Sequence, residues 1–230
     1  MPKLLLLPGM DGAGDLFRWF AQALPEGFEA VPVCYSRVRP QSYPELLRLV
    51  EDASPPEPFV LLAESFSTPL AIQHAAAHLN KVRGVVLCAG FASSPIAGLR
   101  KNLVKNFAPI VFQRTMPAWA IRRWLVGTDA APSLVEAVQA AVTSVQAAVL
   151  VRRMCDLLAC DVRADLHRLT MPLLYLQAAQ DRVVGPSSLA EILEIKPDVR
   201  VARLEGPHLL LQRNPHRSAT AVTEFMREIS

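Results

Sequence analysis

The sequence predicts an α/β protein: a mostly parallel sheet of about six strands, helices on both of its faces, and a block of helices inserted between two strands. Three observations carry this prediction. Short apolar runs recur at Lys3 to Leu7, Phe59 to Ala63, Val82 to Cys88 and Pro172 to Ala178, each too short for a helix and too uniformly apolar for a strand with one wet face. Segments with apolar residues at helical spacing alternate with them, which requires crossover connections and opens a crevice at the strands' C-terminal ends. From Pro95 to Ala159 the strand pattern disappears, leaving helical stripes broken at Pro109, Pro117 and Gly127 to Pro132.

Taken in order, Lys3 to Leu7 is a strand that stops at Pro8-Gly9-Met10-Asp11-Gly12-Ala13-Gly14, and Leu16, Phe17, Phe20, Ala21 and Leu24 then form a helical stripe. The glycine-rich loop lacks the Lys-Ser/Thr ending of a phosphate-binding loop and the spacing of a dinucleotide loop. Glu29 to Tyr35 reads as a second strand and Tyr43 to Ala53 as a helix. The third strand, entered from Pro55-Pro56-Glu57-Pro58, ends at Ser65. Leu70, Ile72, Ala75, Ala76 and Leu79 restart a helical stripe at once, so strand gives way to helix within about three residues. So abrupt a reversal strains the serine backbone and requires small neighbours two positions either side, here Ala63 and Ser67. Val82 to Cys88 is the fourth strand, and Leu134 to Val149 carries one continuous apolar stripe, read as core packing. Pro172 to Ala178 and Val199 to Leu204 complete the sheet, and a helix closes the chain at Ile229.

Composition fits one domain over residues 1–230 with a substantial core: 51% of residues are hydrophobic and 20% charged. The net charge of +3 is too small to imply nucleic acid. No run of about eighteen apolar residues is present, and the N-terminus runs directly into the apolar Leu4 to Leu7 with Lys3 as the only charge before it, so neither a membrane span nor a secretion signal is expected. Cys34, Cys88, Cys155 and Cys160 form no Cys-x-x-Cys pair, giving no zinc or disulfide framework and fitting a reducing cytoplasm.

The strand, Ser65 turn and helix resemble the nucleophile elbow of the α/β-hydrolase superfamily, with Ala63 and Ser67 replacing both glycines of its usual Gly-x-Ser-x-Gly. Two further loops resemble the same family. Ala178-Ala179-Gln180-Asp181-Arg182-Val183-Val184-Gly185-Pro186 matches its acid loop, with Ala178 for glycine. Gly206-Pro207-His208, with Pro215 seven residues on, matches its base loop, with Pro207 interposed. Ser65, Asp181 and His208 stand in the family's order, each after its own strand. The resemblance implies a three-layer fold, a catalytic triad of these residues, and an oxyanion hole from the N–H groups of Met10 and Phe66. It also makes residues 93–160 a helical cap over the site. In length and capped layout the chain resembles serine carboxylesterases and the methyl esterases that act on carrier-bound pimeloyl chains.

The implied chemistry is acyl transfer. Ser65 attacks an ester or thioester carbonyl, His208 acts as base and then acid, Asp181 holds the imidazole, and water releases the acyl group. It calls for no metal or organic cofactor. A serine at the elbow argues against haloalkane dehalogenase and epoxide hydrolase chemistry, where the family uses aspartate. Acyl transfer to another acceptor, C–C bond hydrolysis and cofactor-free peroxidation use the same triad, and a non-catalytic binding protein on this scaffold is the alternative outside enzymes. Among rival residues, His74 and His78 are read as exposed or capping, Glu64 as pointing away from Ser65, Asp11 as ordering the oxyanion loop, and Asp161 and Asp165 as helix caps.

The inserted block is uneven in charge. From Phe91 to Thr128 it holds Arg100, Lys101, Lys105, Arg114, Arg122 and Arg123 and no Asp or Glu. A solvated helix face accounts for this. So does a docking surface, with Arg122 and Arg123 as candidate binding residues, for an acidic acyl carrier protein, a carboxylate-bearing acyl chain or a lipid headgroup.

Overall fold

The computed structural model describes residues 3–96 and 98–229, the side chains of residues 99 and 100 excepted, so Arg100 of the basic run lies outside the described side chains. Six strands form one sheet: β1 (Lys3–Leu7), β2 (Ala30–Pro32), β3 (Phe59–Glu64), β4 (Val82–Cys88), β5 (Leu173–Ala178) and β6 (Arg200–Leu204). Their order is β2-β1-β3-β4-β5-β6 and every pairing is parallel.

The alternation of side chains along a strand builds two separate cores from uniformly apolar sequence. Leu5, Leu7, Leu61, Ala63, Val85 and Leu87 face α2 (Tyr43–Ala53), α3 (Thr68–Ala77), α8 (Arg163–Arg168) and α9 (Pro186–Ile195). Leu4, Leu6, Val60, Leu62, Val86 and Cys88 face α1 (Arg18–Ala23), α10 (Leu210–Arg213) and α11 (Pro215–Glu228). The result is three layers with the sheet in the middle. Ser42 and Glu45 form a capping box that fixes the start of α2, the Glu45 carboxylate accepting the Ser42 N–H at 2.8 Å.

Between β4 and β5 lie α4 (Leu99–Phe112), α5 (Ala118–Ile121), a π turn (Arg122–Val126), α6 (Pro132–Thr143), α7 (Ala147–Ala159) and α8. The two ends of this segment are joined at the sheet. Ser93 and Asp161 form an antiparallel bridge, Ser94 N–H donates to the Cys160 carbonyl (3.1 Å), and Val162 N–H donates to the Ala92 carbonyl (2.8 Å). Ile121, Val126, Leu134 and Val138 make a third core with Leu16 and Leu209, so the segment packs on the loops at the strands' C-terminal ends.

The structure differs from expectation in four places. β2 stops at Pro32, because the Val33 N–H still reaches Leu6 (2.8 Å) but Tyr35 N–H turns away to the Gly12 carbonyl (2.7 Å). The apolar stripe from Leu134 to Val149 is two helices, α6 and α7, bent by 92°; at the break Gln146 N–H leaves the helix ladder for the Arg37 carbonyl (2.8 Å). His74 is buried at 4% exposure, in contact with the rings of Phe59 and His78, where burial and then His78 push its imidazole down to about 4. Asp165 lies inside the first turn of α8 and pairs with Arg168 (3.5 Å) in place of capping it. Among the described residues no single helix is long and apolar enough to cross a membrane.

One carboxyl sits within the core. Glu64 ends β3 on the α10 side, away from the face of Ala63, and accepts a hydrogen bond from Gln212 Nε2 (3.2 Å), while Oε1 has no partner among the described residues. Burial, reinforced by the Asp11 carboxyl, pushes it up to about 8.

Two predictions follow the packing. Gly84 stands on the α11 side of β4, where a Cβ would meet Ile229 Cδ1 at 2.5 Å and the Phe225 ring at 3.1 Å. Gly84→Val is expected to lower the midpoint of urea unfolding, at a cost of about 1–3 kcal/mol. Glu64 keeps its proton in the folded chain but loses it near 4.3 when unfolded, so stability falls with rising pH from there to about 8 and levels off above. Glu64→Gln removes this slope: urea titrations at pH 5 and pH 8 are expected to differ less than in the parent chain, with the gain in stability appearing at pH 8.

Candidate active site

Ser65 closes β3 with φ 48°, the left-handed region that side-chain-bearing residues avoid, and a 3-10 turn (Ser65–Ser67) carries the chain into α3. Its neighbours hold that conformation. Thr68 Oγ1 donates to the Ser65 carbonyl (2.8 Å) and accepts the Phe91 N–H (3.0 Å), and Tyr43 from α2 donates to the Phe66 carbonyl (2.8 Å). Ser67 is more than a small residue: its hydroxyl donates to the Pro8 carbonyl and accepts from Tyr35 (2.8 Å), tying the elbow to the glycine-rich loop.

Asp181 and His208 emerge from the loops after β5 and β6. Backbone bonds join these loops: Ala179 N–H to the Leu204 carbonyl (2.9 Å) and Gln180 N–H to the Gly206 carbonyl (2.9 Å). The Gln180 side chain returns the bond, Oε1 accepting the Gly206 N–H at 2.5 Å. Asp181 Oδ1 takes the N–H groups of Val183 (2.8 Å) and Val184 (3.0 Å), and His208 Nδ1 lies against both carboxylate oxygens, at 2.9 Å from Oδ2 and 3.1 Å from Oδ1. A carboxylate there places the proton on Nδ1, so the Nε2 lone pair faces the Ser65 hydroxyl at 2.9 Å. Asp181 and His208 are buried, their side chains 8% and 5% exposed, whereas Ser65 is half-buried. The structure thus brings together three side chains that the sequence scatters. Such a series relieves a hydroxyl of its proton as it attacks.

Met10 lies three residues past β1 and Phe66 directly after Ser65, on adjacent strands whose last paired residues are Leu7 and Ala63. Asp11 Oδ2 accepts the Ala13 N–H (3.1 Å) inside the same loop, and burial holds its carboxyl above the ordinary aspartate range. Arg153 of α7 was not marked by the sequence reading. It is 1% exposed and its guanidinium donates to the carbonyls of Met10 (2.6 Å) and Ser36 (2.9 Å). Gly12, at φ 69°, leaves room for it: a Cβ there would stand 2.5 Å from Nη2. The available signal was position, since Arg153 shares a helix face with Val149, Leu150 and Leu157, where an unpartnered charge would be costly.

Arg122 and Arg123 do not touch Ser65. They line a cleft of about 710 Å³ behind the Asp181–His208 pair, together with Arg182, Arg213 and Arg217. Arg122 braces the carbonyls of Thr128 (3.2 Å) and Ala130 (2.5 Å), and Arg213 pairs with Asp129. Arg123 is exposed over the Trp124 ring, and Arg217 is exposed beside it in the cleft.

Solved structures resemble this architecture over almost the whole chain. A hydrolase from Oleispira antarctica superposes with a TM-score of 0.84 at 13% identity, covering 99% of this chain and 91% of that one. An esterase from Exiguobacterium antarcticum gives 0.83 at 14% identity, covering 99% and 92%. A bromoperoxidase from Bacillus anthracis gives 0.82 at 15% identity, covering 98% and 92%. No curated protein matches the sequence. The sequence model of the alpha/beta hydrolase family matches residues 4–221. With its six parallel strands, flanking helices and a match over residues 4–221, the chain belongs to the alpha/beta hydrolase family.

Proposed function

We propose that this alpha/beta hydrolase enzyme cleaves a carboxylic ester or thioester through an acyl-enzyme on Ser65. The observation that carries the reading is the hydrogen-bonded series from Asp181 through His208 to a strained Ser65. His208 Nε2 takes the hydroxyl proton as Ser65 Oγ attacks the carbonyl carbon. The N–H groups of Met10 and Phe66 stabilise the oxyanion, and His208 returns the proton to the departing alcohol or thiol. Water then repeats the sequence on the acyl-enzyme, with His208 as base, and frees the acid. Asp181 stabilises the imidazolium in both halves, its orientation set by the Val183 and Val184 amides.

A fluorophosphonate probe is expected to label the parent chain at Ser65, and Ser65→Ala to lose both label and p-nitrophenyl acetate turnover by at least about 10³-fold. Undiminished turnover in that variant refutes the assignment. Asp181→Asn offers the imidazole a donor where it needs an acceptor, and kcat is expected to fall about 10³- to 10⁴-fold with little change in KM.

The basic cleft supports a reading of the substrate's far end: the acyl group arrives on an acidic carrier protein whose surface meets Arg123 and its neighbours. Arg123→Glu is expected to raise KM for a carrier-linked ester about tenfold while leaving p-nitrophenyl acetate unaffected. Equal effects on both substrates would sink this reading.

A further inference from the structure

Away from Ser65, the C-terminal ends of α2 and α3 bring together three groups that the proposed chemistry does not use. His74 lies in the last turn of α3 and His78 is the residue that caps its C-terminus, their ring centroids 4.4 Å apart, and Glu51 of α2 reaches both. Glu51 Oε2 lies 2.5 Å from His78 Nε2 and 3.7 Å from His74 Nδ1. One donor atom from each residue falls within 4.8 Å of the other two. The site lies roughly 14 Å along the helix from Ser65, nine residues at 1.5 Å each.

The hydrogen bonds around His74 decide what its ring presents. Ser54 Oγ gives its single proton to the Val50 carbonyl (2.7 Å), so towards His74 Nε2, at 3.1 Å, it can only accept. Nε2 therefore carries the ring proton, and the Nδ1 lone pair of this neutral, buried imidazole points at a carboxylate oxygen. Glu51 Oε2 already takes the His78 Nε2 proton at 2.5 Å, so a metal ion entering here displaces that proton to solvent and also gives a partner to the His74 Nδ1 lone pair, which faces the same oxygen at 3.7 Å, beyond hydrogen-bonding reach. An imidazole fixed in tautomer by a hydrogen bond from its far nitrogen is also how proteins orient metal-ligating histidines.

We propose that Glu51, His74 and His78 bind a divalent transition metal of the zinc class, through one carboxylate oxygen, Nδ1 of His74 and Nε2 of His78. Two imidazoles and one carboxylate favour zinc over magnesium or calcium, and leave the fourth position to water. With metal–ligand distances of about 2.0–2.2 Å, tetrahedral ligand atoms stand about 3.3 Å apart. To reach this, His78 and Glu51 part by under about 1 Å and the two imidazole nitrogens, within 4.8 Å of each other, close by up to about 1.5 Å; His78 and Glu51 are partly exposed at helix ends, with side chains 27% and 47% exposed. None of the four cysteines takes part, so their spacing gave no hint of it. The bound ion would pin the end of α2, whose Tyr43 holds the Phe66 carbonyl, to the end of α3, which begins at the elbow.

The test uses the full-length, tag-free chain, stripped with a chelator and dialysed against Zn²⁺, with Co²⁺ as the optical probe. One Zn²⁺ per chain and visible Co²⁺ d–d bands are expected. His78→Ala is expected to weaken binding at least about tenfold, and Ser54→Ala, which leaves all three ligands in place, to weaken it about 10- to 100-fold. No zinc retained by the parent chain overturns the proposal. So does unchanged stoichiometry and affinity in both His78→Ala and Glu51→Gln, which would put the metal elsewhere. Neither outcome bears on acyl transfer at Ser65, which the fluorophosphonate experiment tests separately.

Discussion

The left-handed backbone at Ser65 is the constraint on which the rest of the site depends. A side-chain-bearing residue held at φ 48° costs about 1–3 kcal/mol, and it persists only where its surroundings overdetermine it. They do so here from three directions. Thr68 grips the serine carbonyl and the Phe91 amide, Tyr43 grips the Phe66 carbonyl, and Ser67 bridges to Pro8 and Tyr35. Gly90 can only be glycine for the same reason: a Cβ there would stand 2.5 Å from Thr68 Cγ2 and press on one of these grips. Strain at one residue is thus spread over α2, α3, the glycine-rich loop and the end of β4.

The sheet and the convergence of the three candidate residues were legible in the sequence because each rests on local pattern. Apolar runs announce β3 and β5 as buried parallel strands, and Ser65 and Asp181 follow them within three residues; β6 is a half-exposed edge strand, Arg-Val-Ala-Arg-Leu, and His208 follows it by four, so the topology delivers all three to one edge. What escaped acts across long chain distances through hydrogen bonds to backbone groups and between side chains, which no local residue pattern records. Arg153 reaches Met10 and Ser36, Gln180 clasps Gly206, and Tyr35 meets Ser67. The burial of His74 was missed because α3 is apolar on nearly every side, packed between sheet, α2 and α8, so helical spacing does not single out a wet face. The break between α6 and α7 was missed because no proline or glycine marks it; a carbonyl supplied by Arg37 from outside the segment does.

Three ionisable groups are buried around the glycine-rich loop, and they are not equivalent. Arg153 lies near Asp11, which partly offsets its desolvation, and both spend hydrogen bonds on loop peptides. Glu64 has one amide and an unsatisfied oxygen, and avoids the larger cost of a buried charge by keeping its proton. Asp181 differs from both carboxyls, Asp11 and Glu64, in spending its oxygens on the Val183 and Val184 amides and the His208 ring.

The bridge between Ser93 and Asp161 separates two problems that a long excursion usually couples. Since the chain leaves and re-enters the sheet at adjacent points, the strands need no knowledge of what lies between, and loop closure adds only about 0.6 kcal/mol for each doubling of its length. Helices α4 to α7 can therefore differ in sequence and length while β4 and β5 keep their register. Arg153 is the exception that limits this freedom. Any replacement for α7 must still deliver a guanidinium, or some equal donor, to the Met10 carbonyl.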